Sequence, residues 1–159
     1  MKAKCGKMIA SDNCSWRFEK FQFPIKEFDW HYHPEYEICL TLNSKGSKHI
    51  GDYINDYDNP DLVLLGPNLP HSWQTDVNED SSPIIIYVAQ IPAQWLDNLI
   101  TNIPELSSLK NMLKLSLRGI EFTQETTLKS IAIFKEMSHA EPVERFYLLI
   151  KLFIFCINK

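Results

Sequence analysis

The run His31-Tyr32-His33-Pro34-Glu35-Tyr36-Glu37-Ile38-Cys39-Leu40-Thr41-Leu42 constrains the fold of this chain more than any other stretch. At strand period, Tyr36, Ile38, Leu40 and Leu42 share one apolar face, and His31, His33, Glu37, Cys39 and Thr41 share the other, because alternate side chains point the same way. The pattern predicts a strand with two imidazoles and a carboxylate along one side. Neutral imidazole and carboxylate are ordinary ligands of divalent first-row metals. A lone His-x-His also suits a solvated surface strand, so a second element matters. Gly66-Pro67-Asn68-Leu69-Pro70-His71-Ser72-Trp73 brings another imidazole after a Pro-bracketed turn that follows the apolar run Leu62-Val63-Leu64-Leu65. His31, His33, Glu37 and His71 are therefore the candidate metal ligands, for zinc, nickel, iron or manganese, with coordination positions left open to a ligand. The alternative is that these side chains hydrogen-bond one another or touch a small effector directly.

The rest of the chain reads as short strands and then helices. Residues 1–14 are polar and without period, an arm or frayed terminus. A strand is expected over residues 15–23, bulged near Lys20 where the apolar phase changes from Trp16 and Phe18 to Phe21 and Phe23. Turn composition at residues 43–47, 55–60 and 78–83 separates further strands, the last of them Ile84-Ile85-Ile86-Tyr87-Val88, buried on both sides. From Ile91 the period becomes helical. Pro92 and Pro104 suit first turns, Leu106, Leu109, Leu113 and Leu117 recur at helical spacing, Thr123 is a candidate N-cap for a helix through Met137, and Pro142 opens the last helix. Strands at this spacing predict an antiparallel barrel or jelly roll over residues 15–90, followed by a helical segment over 91–159.

A chain of 159 residues suits one domain with a sizeable core, and leaves little room for a barrel plus a separate DNA-binding domain. Sixteen basic against 20 acidic residues give a net charge of −4, and Lys and Arg do not cluster into a stripe that could follow phosphates. Negligible DNA affinity is expected of these residues alone. Cys5, Cys14, Cys39 and Cys156 form no C-x-x-C pair, which indicates neither a zinc knuckle nor a disulfide framework. The N-terminus carries no signal-type apolar run, so a cytoplasmic location is expected. The last helix is apolar nearly all round from Phe146 to Ile157 but shorter than the roughly 20 residues a membrane span needs. No membrane association is expected. Such a helix calls for burial on several sides. Phe146, Leu149, Ile150, Phe153 and Ile157 make one stripe, the helix around Leu128, Ile131 and Phe134 is expected to cover one face, and Tyr147, Ile154 and Phe155 remain for a second copy of the chain.

The paired elements resemble the two motifs of the cupin barrel, in which His-x-His with a following Glu is completed by a single later His. Trp30 to Glu37, Ile50-Gly51-Asp52 and Asp61 to Trp73 are more closely similar to the N-terminal sensing domain of AraC-type transcription regulators. The likeness covers roughly Ser15 to Val88 and continues more loosely through the helices. Asn59-Pro60-Asp61 departs from it, with a proline turn where Gly usually precedes the aspartate. The resemblance implies a cupin-type double-stranded β-helix, a small effector (a sugar among the candidates) bound inside it, and a homodimer through the C-terminal helix. It also implies DNA contact only through helix-turn-helix units that this sequence does not contain. Trp30, Tyr32, Tyr53 and Trp73 are candidates to stack on an effector or to serve as plain core, and Cys39 is either a pocket wall or a small buried hydrophobe. Glu35 is expected to make a local hydrogen bond or face solvent, and His49 and His139 to lie at the surface. The competing class is a stand-alone metal-dependent cupin enzyme, a dioxygenase or sugar isomerase using the same ligands; a binding module without catalysis is the third.

Overall fold

The computed structural model describes residues 1–76 and 81–158. In chain order its elements are β1 (Lys4–Cys5), β2 (Arg17–Phe23), β3 (His31–Tyr32), β4 (Glu35–Leu42), β5 (Gly46–Ile50), β6 (Tyr53–Tyr57), β7 (Asp61–Leu65), β8 (His71–Thr75), β9 (Ile84–Pro92), α1 (Ala93–Asn102), α2 (Leu109–Ser116), β10 (Ile120–Glu121), α3 (Gln124–Met137) and α4 (Pro142–Ile157). A 3-10 turn, Pro104–Leu106, precedes α2. The strands form two five-stranded sheets, β1-β3-β8-β5-β6 and β10-β7-β4-β9-β2. Most neighbours within a sheet are distant in sequence, because the chain passes repeatedly from one sheet to the other. With the helices that follow, this is the cupin-type double-stranded β-helix expected from the sequence.

Strand alternation explains why the second sheet is buried on both sides. The even residues of β4, Tyr36, Ile38, Leu40 and Leu42, join Leu62 and Leu64 of β7 and Phe134, Leu149 and Leu152 of the helices in the main apolar cluster. Helix α1 packs on β9, and α3 on β4 and β7. The odd residues of β4 face the barrel interior. Antiparallel register aligns them in rows across β2, β9 and β4: Arg17–Gln90–Glu37, then Glu19–Val88–Cys39, then Phe21–Ile86–Thr41.

Several expectations are corrected by this arrangement. The motif run is two strands, not one: β3 belongs to the first sheet and β4 to the second. Pro34 stands at the break, where its missing N–H removes a ladder donor. Strand β2 has no bulge, since its register with β9 is unbroken from Arg17 to Phe23. The apparent phase change arises because Phe18 packs outward while Arg17, Glu19, Phe21 and Phe23 all line the interior. Within the arm, Lys4–Cys5 pairs in parallel with His31–Tyr32, and Ser11 Oγ bonds the backbone of Phe18. The helical segment returns one strand, β10, to the barrel edge beside β7. The expected turn at residues 78–83 lies partly outside the described residues.

Helix boundaries follow their capping chemistry. Thr123 Oγ1 accepts from the Thr126 N–H and opens α3, and Pro142 occupies the first turn of α4, as expected of these residues. Leu106, Leu109 and Leu113 are buried, whereas Leu117 falls past the end of α2 and is half exposed. Helix α4 buries Leu148, Leu149, Leu152, Phe153 and Cys156. Phe155 packs partly against the core rather than facing outward. On α3, Phe134 is fully buried and Ile131 partly so, but Leu128 is exposed.

A charged network ties the two sheets together. Lys48 of β5 is fully buried, and its Nζ lies 2.5 Å from Asp61 Oδ1 of β7 and 3.1 Å from Glu121 Oε1 of β10. Trp73 Nε1 of β8 donates to Asp61 Oδ2 at 3.1 Å. Burial raises the Asp61 pKa, and the Lys48 charge and the two hydrogen bonds pull it back only in part. Removing the cation alone leaves a buried carboxylate, so Lys48→Met should lose roughly 3–5 kcal/mol. Lys48→Met with Asp61→Leu should lose less, about the 1–3 kcal/mol of stranding the Trp73 N–H. Urea denaturation of both variants measures the difference.

Candidate functional site

The interior rows open onto a cavity of about 250 Å³ between the sheets, lined by Arg17, Glu19, Phe21, Phe23, Lys26, Asp29, His31, Glu37, Cys39, Thr41, His71, Trp73, Ile86, Val88 and Gln90. Its polar end is built by three elements. His31 comes from β3, His71 from the first position of β8, and the two are register partners. His33 follows β3 and is buried. One nitrogen from each of the three imidazoles lies within 4.8 Å of the others, a group able to hold a metal ion.

Hydrogen bonds set the ring orientations. His31 Nδ1 lies 2.8 Å from the Asp29 carbonyl oxygen, and His71 Nδ1 lies 2.8 Å from that of Leu69. A carbonyl oxygen only accepts, so Nδ1 carries a hydrogen in both rings and Nε2 is the nitrogen turned to the site. His71 Nε2 is buried without a hydrogen-bond partner. Burial holds the His71 pKa below its ordinary value, against the pull of the Glu37 charge. A neutral imidazole with a buried, unshared lone pair beside two others fits a divalent metal.

Glu37 approaches this group without completing it as a fourth member. Its Oε2 accepts from His33 Nε2 at 2.9 Å and from the Gln90 amide at 3.0 Å, and its Oε1 lies 3.7 Å from His71 Nε2. Burial alone would raise the Glu37 pKa, but the His33 hydrogen bond, the charges that His71 and His33 carry when protonated, and the Gln90 amide hold it at about 2. Burial would likewise lower His33, yet the bond to Glu37 and the charges of Glu37 and Glu35 raise it above its ordinary value.

The turn that delivers His71 is fastened on two sides. Gly66 N–H donates to Ser116 O at 2.7 Å, and Asn68 N–H donates to His33 O at 2.8 Å. A Cβ on Gly66 would come within 2.8 Å of the Leu117 Cα, so only glycine fits there without displacing the end of α2.

The other sequence candidates divide. Cys39 and Trp73 line the cavity. Burial pushes the Cys39 thiol well up, which keeps it protonated and makes it a wall rather than a thiolate. Trp30, Tyr32 and Tyr53 are not among the lining residues. Trp30 stacks on Phe28 instead, Tyr32 has the outward parity of β3, and Tyr53 is half exposed on the edge strand β6. Glu35 is not solvent-facing, with a side chain 12% exposed beside His33. His49 is only half-buried and meets Phe28 edge-on, while His139 is exposed. Sequence reasoning missed Arg17, Glu19, Phe21, Phe23, Lys26 and Gln90 as cavity residues. Continuous alternation through β2, without the assumed bulge, was the signal that places four of them.

The Glu37 shift carries a pH consequence for metal-free protein. A carboxyl held near 2 when folded and near 4.5 when unfolded contributes stability that is fully present above the unfolded value and lost as pH falls toward the folded one. Urea midpoints measured between about pH 5 and pH 2 should therefore fall more steeply for wild type than for Glu37→Gln.

No protein-family pattern matches this chain, and no curated protein matches it. Solved structures do. The chain is similar to a cupin 2 conserved barrel domain protein from Rhodopseudomonas palustris, at 18% identity over 54% of this chain and 57% of that one, with a TM-score of 0.39. It is similar to ToxT from Vibrio cholerae at 12% identity over 76% of this chain and 47% of that one, with a TM-score of 0.48. Rru_A2000 from Rhodospirillum rubrum, a cupin-2 domain, matches at 10% identity over 67% and 76% of the two chains, with a TM-score of 0.40.

Proposed function

We propose that this chain is the effector-binding and dimerisation domain of an AraC-type transcription regulator, taking a small organic effector in the barrel beside a divalent metal. The observation that carries the binding reading is the cavity of about 250 Å³ that meets clustered imidazoles at its polar end. His31, His33 and His71 would hold the ion, with Glu37 as the adjoining carboxylate. When bound, the metal supplies positive charge and open coordination positions for an effector oxygen or nitrogen. Phe21, Phe23, Trp73, Ile86 and Val88 offer the apolar wall against which the body of an effector packs. The regulator assignment rests on the sequence pattern of residues 30–37, 50–52 and 61–73.

Metal loading is directly measurable. Zinc or nickel added to metal-free protein should raise its unfolding temperature by mass action. The combined His33→Ala and His71→Ala variant should show no such rise in a thermal melt. Equal, substoichiometric metal in both proteins would refute the assignment. A stand-alone metal-dependent enzyme is the second reading, favoured by the direct opening of the cavity onto the imidazoles. Turnover of a sugar, or dioxygen consumption with an organic substrate, by metal-loaded chain would decide for it.

The dimer belongs to the same proposal. Val143, Tyr147 and Ile154 are 80%, 61% and 44% exposed along α4, and they recur on one side of that helix. A second copy of the chain across a two-fold axis is the occupant that this stripe suits. Burying a few such side chains contributes several kcal/mol at roughly 25 cal/mol per Å², before association costs. Light scattering should give a dimer for wild type and a monomer for Tyr147→Glu with Ile154→Glu, at unchanged circular dichroism. A wild-type monomer would sink the idea.

A further inference from the structure

We propose that Glu35 is the positioning residue of His33: its carboxylate takes the Nδ1 hydrogen of that imidazole and so keeps Nε2 turned to the metal group, where a bound ion would replace the hydrogen that Nε2 gives to Glu37. The inference rests on the metal reading above and adds a residue that the sequence pattern left outside the site.

Two orphaned atoms carry the argument. Among the described residues, the buried side-chain nitrogen and oxygen atoms without a hydrogen-bond partner are His33 Nδ1, Glu35 Oε2 and His71 Nε2. The first two face each other at 3.4 Å, on side chains 4% and 12% exposed. Burial of a ring nitrogen and a carboxylate oxygen is costly unless each serves the other. The pair lies within hydrogen-bond distance, and a turn of the Glu35 carboxylate that aligned it would satisfy both. His71 Nε2 is a different case, because it points at the metal group and a metal is the partner that would satisfy it.

The other two imidazoles show the same construction. His31 and His71 are each held at Nδ1 by the carbonyl oxygen two residues before them, at Asp29 and Leu69. Among the described hydrogen bonds no carbonyl two residues before His33 meets its ring; the backbone and the carboxylate of Glu35 act on it instead. Its acceptor is the carboxylate two residues after it, brought back by the bend at Pro34 between β3 and β4. With Nδ1 so held, Nε2 is the nitrogen that faces the site; without metal it gives its hydrogen to Glu37 at 2.9 Å, and a bound ion would take the place of that hydrogen. A carboxylate acceptor raises the basicity of an imidazole ligand more than a carbonyl does, which makes His33 the strongest donor of the three.

The test uses zinc alone and the whole chain. Isothermal titration of metal-free protein should show zinc bound roughly 10–100-fold more weakly by Glu35→Ala. Glu35→Gln, which keeps a carbonyl oxygen for the Nδ1 hydrogen, should recover most of that loss. A merely structural role would not distinguish the two variants in this way. Long-range proton–nitrogen spectra of metal-free protein read the pairing independently: the His33 Nδ1 hydrogen should be present in wild type and its signal altered in Glu35→Ala. Wild-type zinc affinity in Glu35→Ala overturns the proposal, as does a His33 signal identical in the two proteins. Failure of wild type to bind zinc overturns the metal reading instead, and the Glu35–His33 pairing then stands or falls on the nitrogen spectra.

Discussion

A buried charge must find its partner inside the protein, and the barrel is arranged around that constraint. Lys48 has no exposed surface, so its ammonium depends on Asp61 and Glu121. The lysine belongs to one sheet and both carboxylates to the other. The two layers are therefore joined by direction and distance as well as by apolar contact. Apolar packing tolerates sliding more readily than a charge-assisted hydrogen bond does. Trp73 extends the network from Asp61 to the cavity wall, where its ring stands 6.0 Å from that of His71.

The polar end of the cavity applies the same rule and leaves it incomplete. Glu37 is shared between His33 and Gln90, and the Nδ1 atoms of His31 and His71 are bound to carbonyls. The buried orphans that remain among the described residues all belong to this one group. Each such atom calls for a partner, and here the three stand side by side.

Much of this was legible in the sequence, and the physical reason differs from case to case. Parity along residues 35–42 survived folding because a strand's side-chain period cannot slip by one residue without exposing the whole apolar set. The caps Thr123 and Pro142 were readable because their chemistry is local. The break at Pro34 was visible in the residue itself but misjudged, since parity alone carried the run through it. Cavity residues on β2 were hidden because Arg17 and Glu19 look like surface charges until their strand is known to pair with β9. Lys48 was not legible at all. Nothing local distinguishes a lysine that will be enclosed from one that will be solvated; only its neighbours across the barrel do.

The turn from Gly66 to Pro70 is fastened at Gly66 to Ser116, the last residue of α2, and at Asn68 to the His33 backbone, with Leu69 holding the His71 ring. Because a glycine stands where no side chain fits against Leu117, the turn and the end of α2 have no slack between them. Two of the three imidazoles therefore take their placement from a piece of backbone that is mechanically part of the helices. The imidazole cluster is thus seated from outside the barrel as well as from within it, through the close approach of the turn to the end of α2.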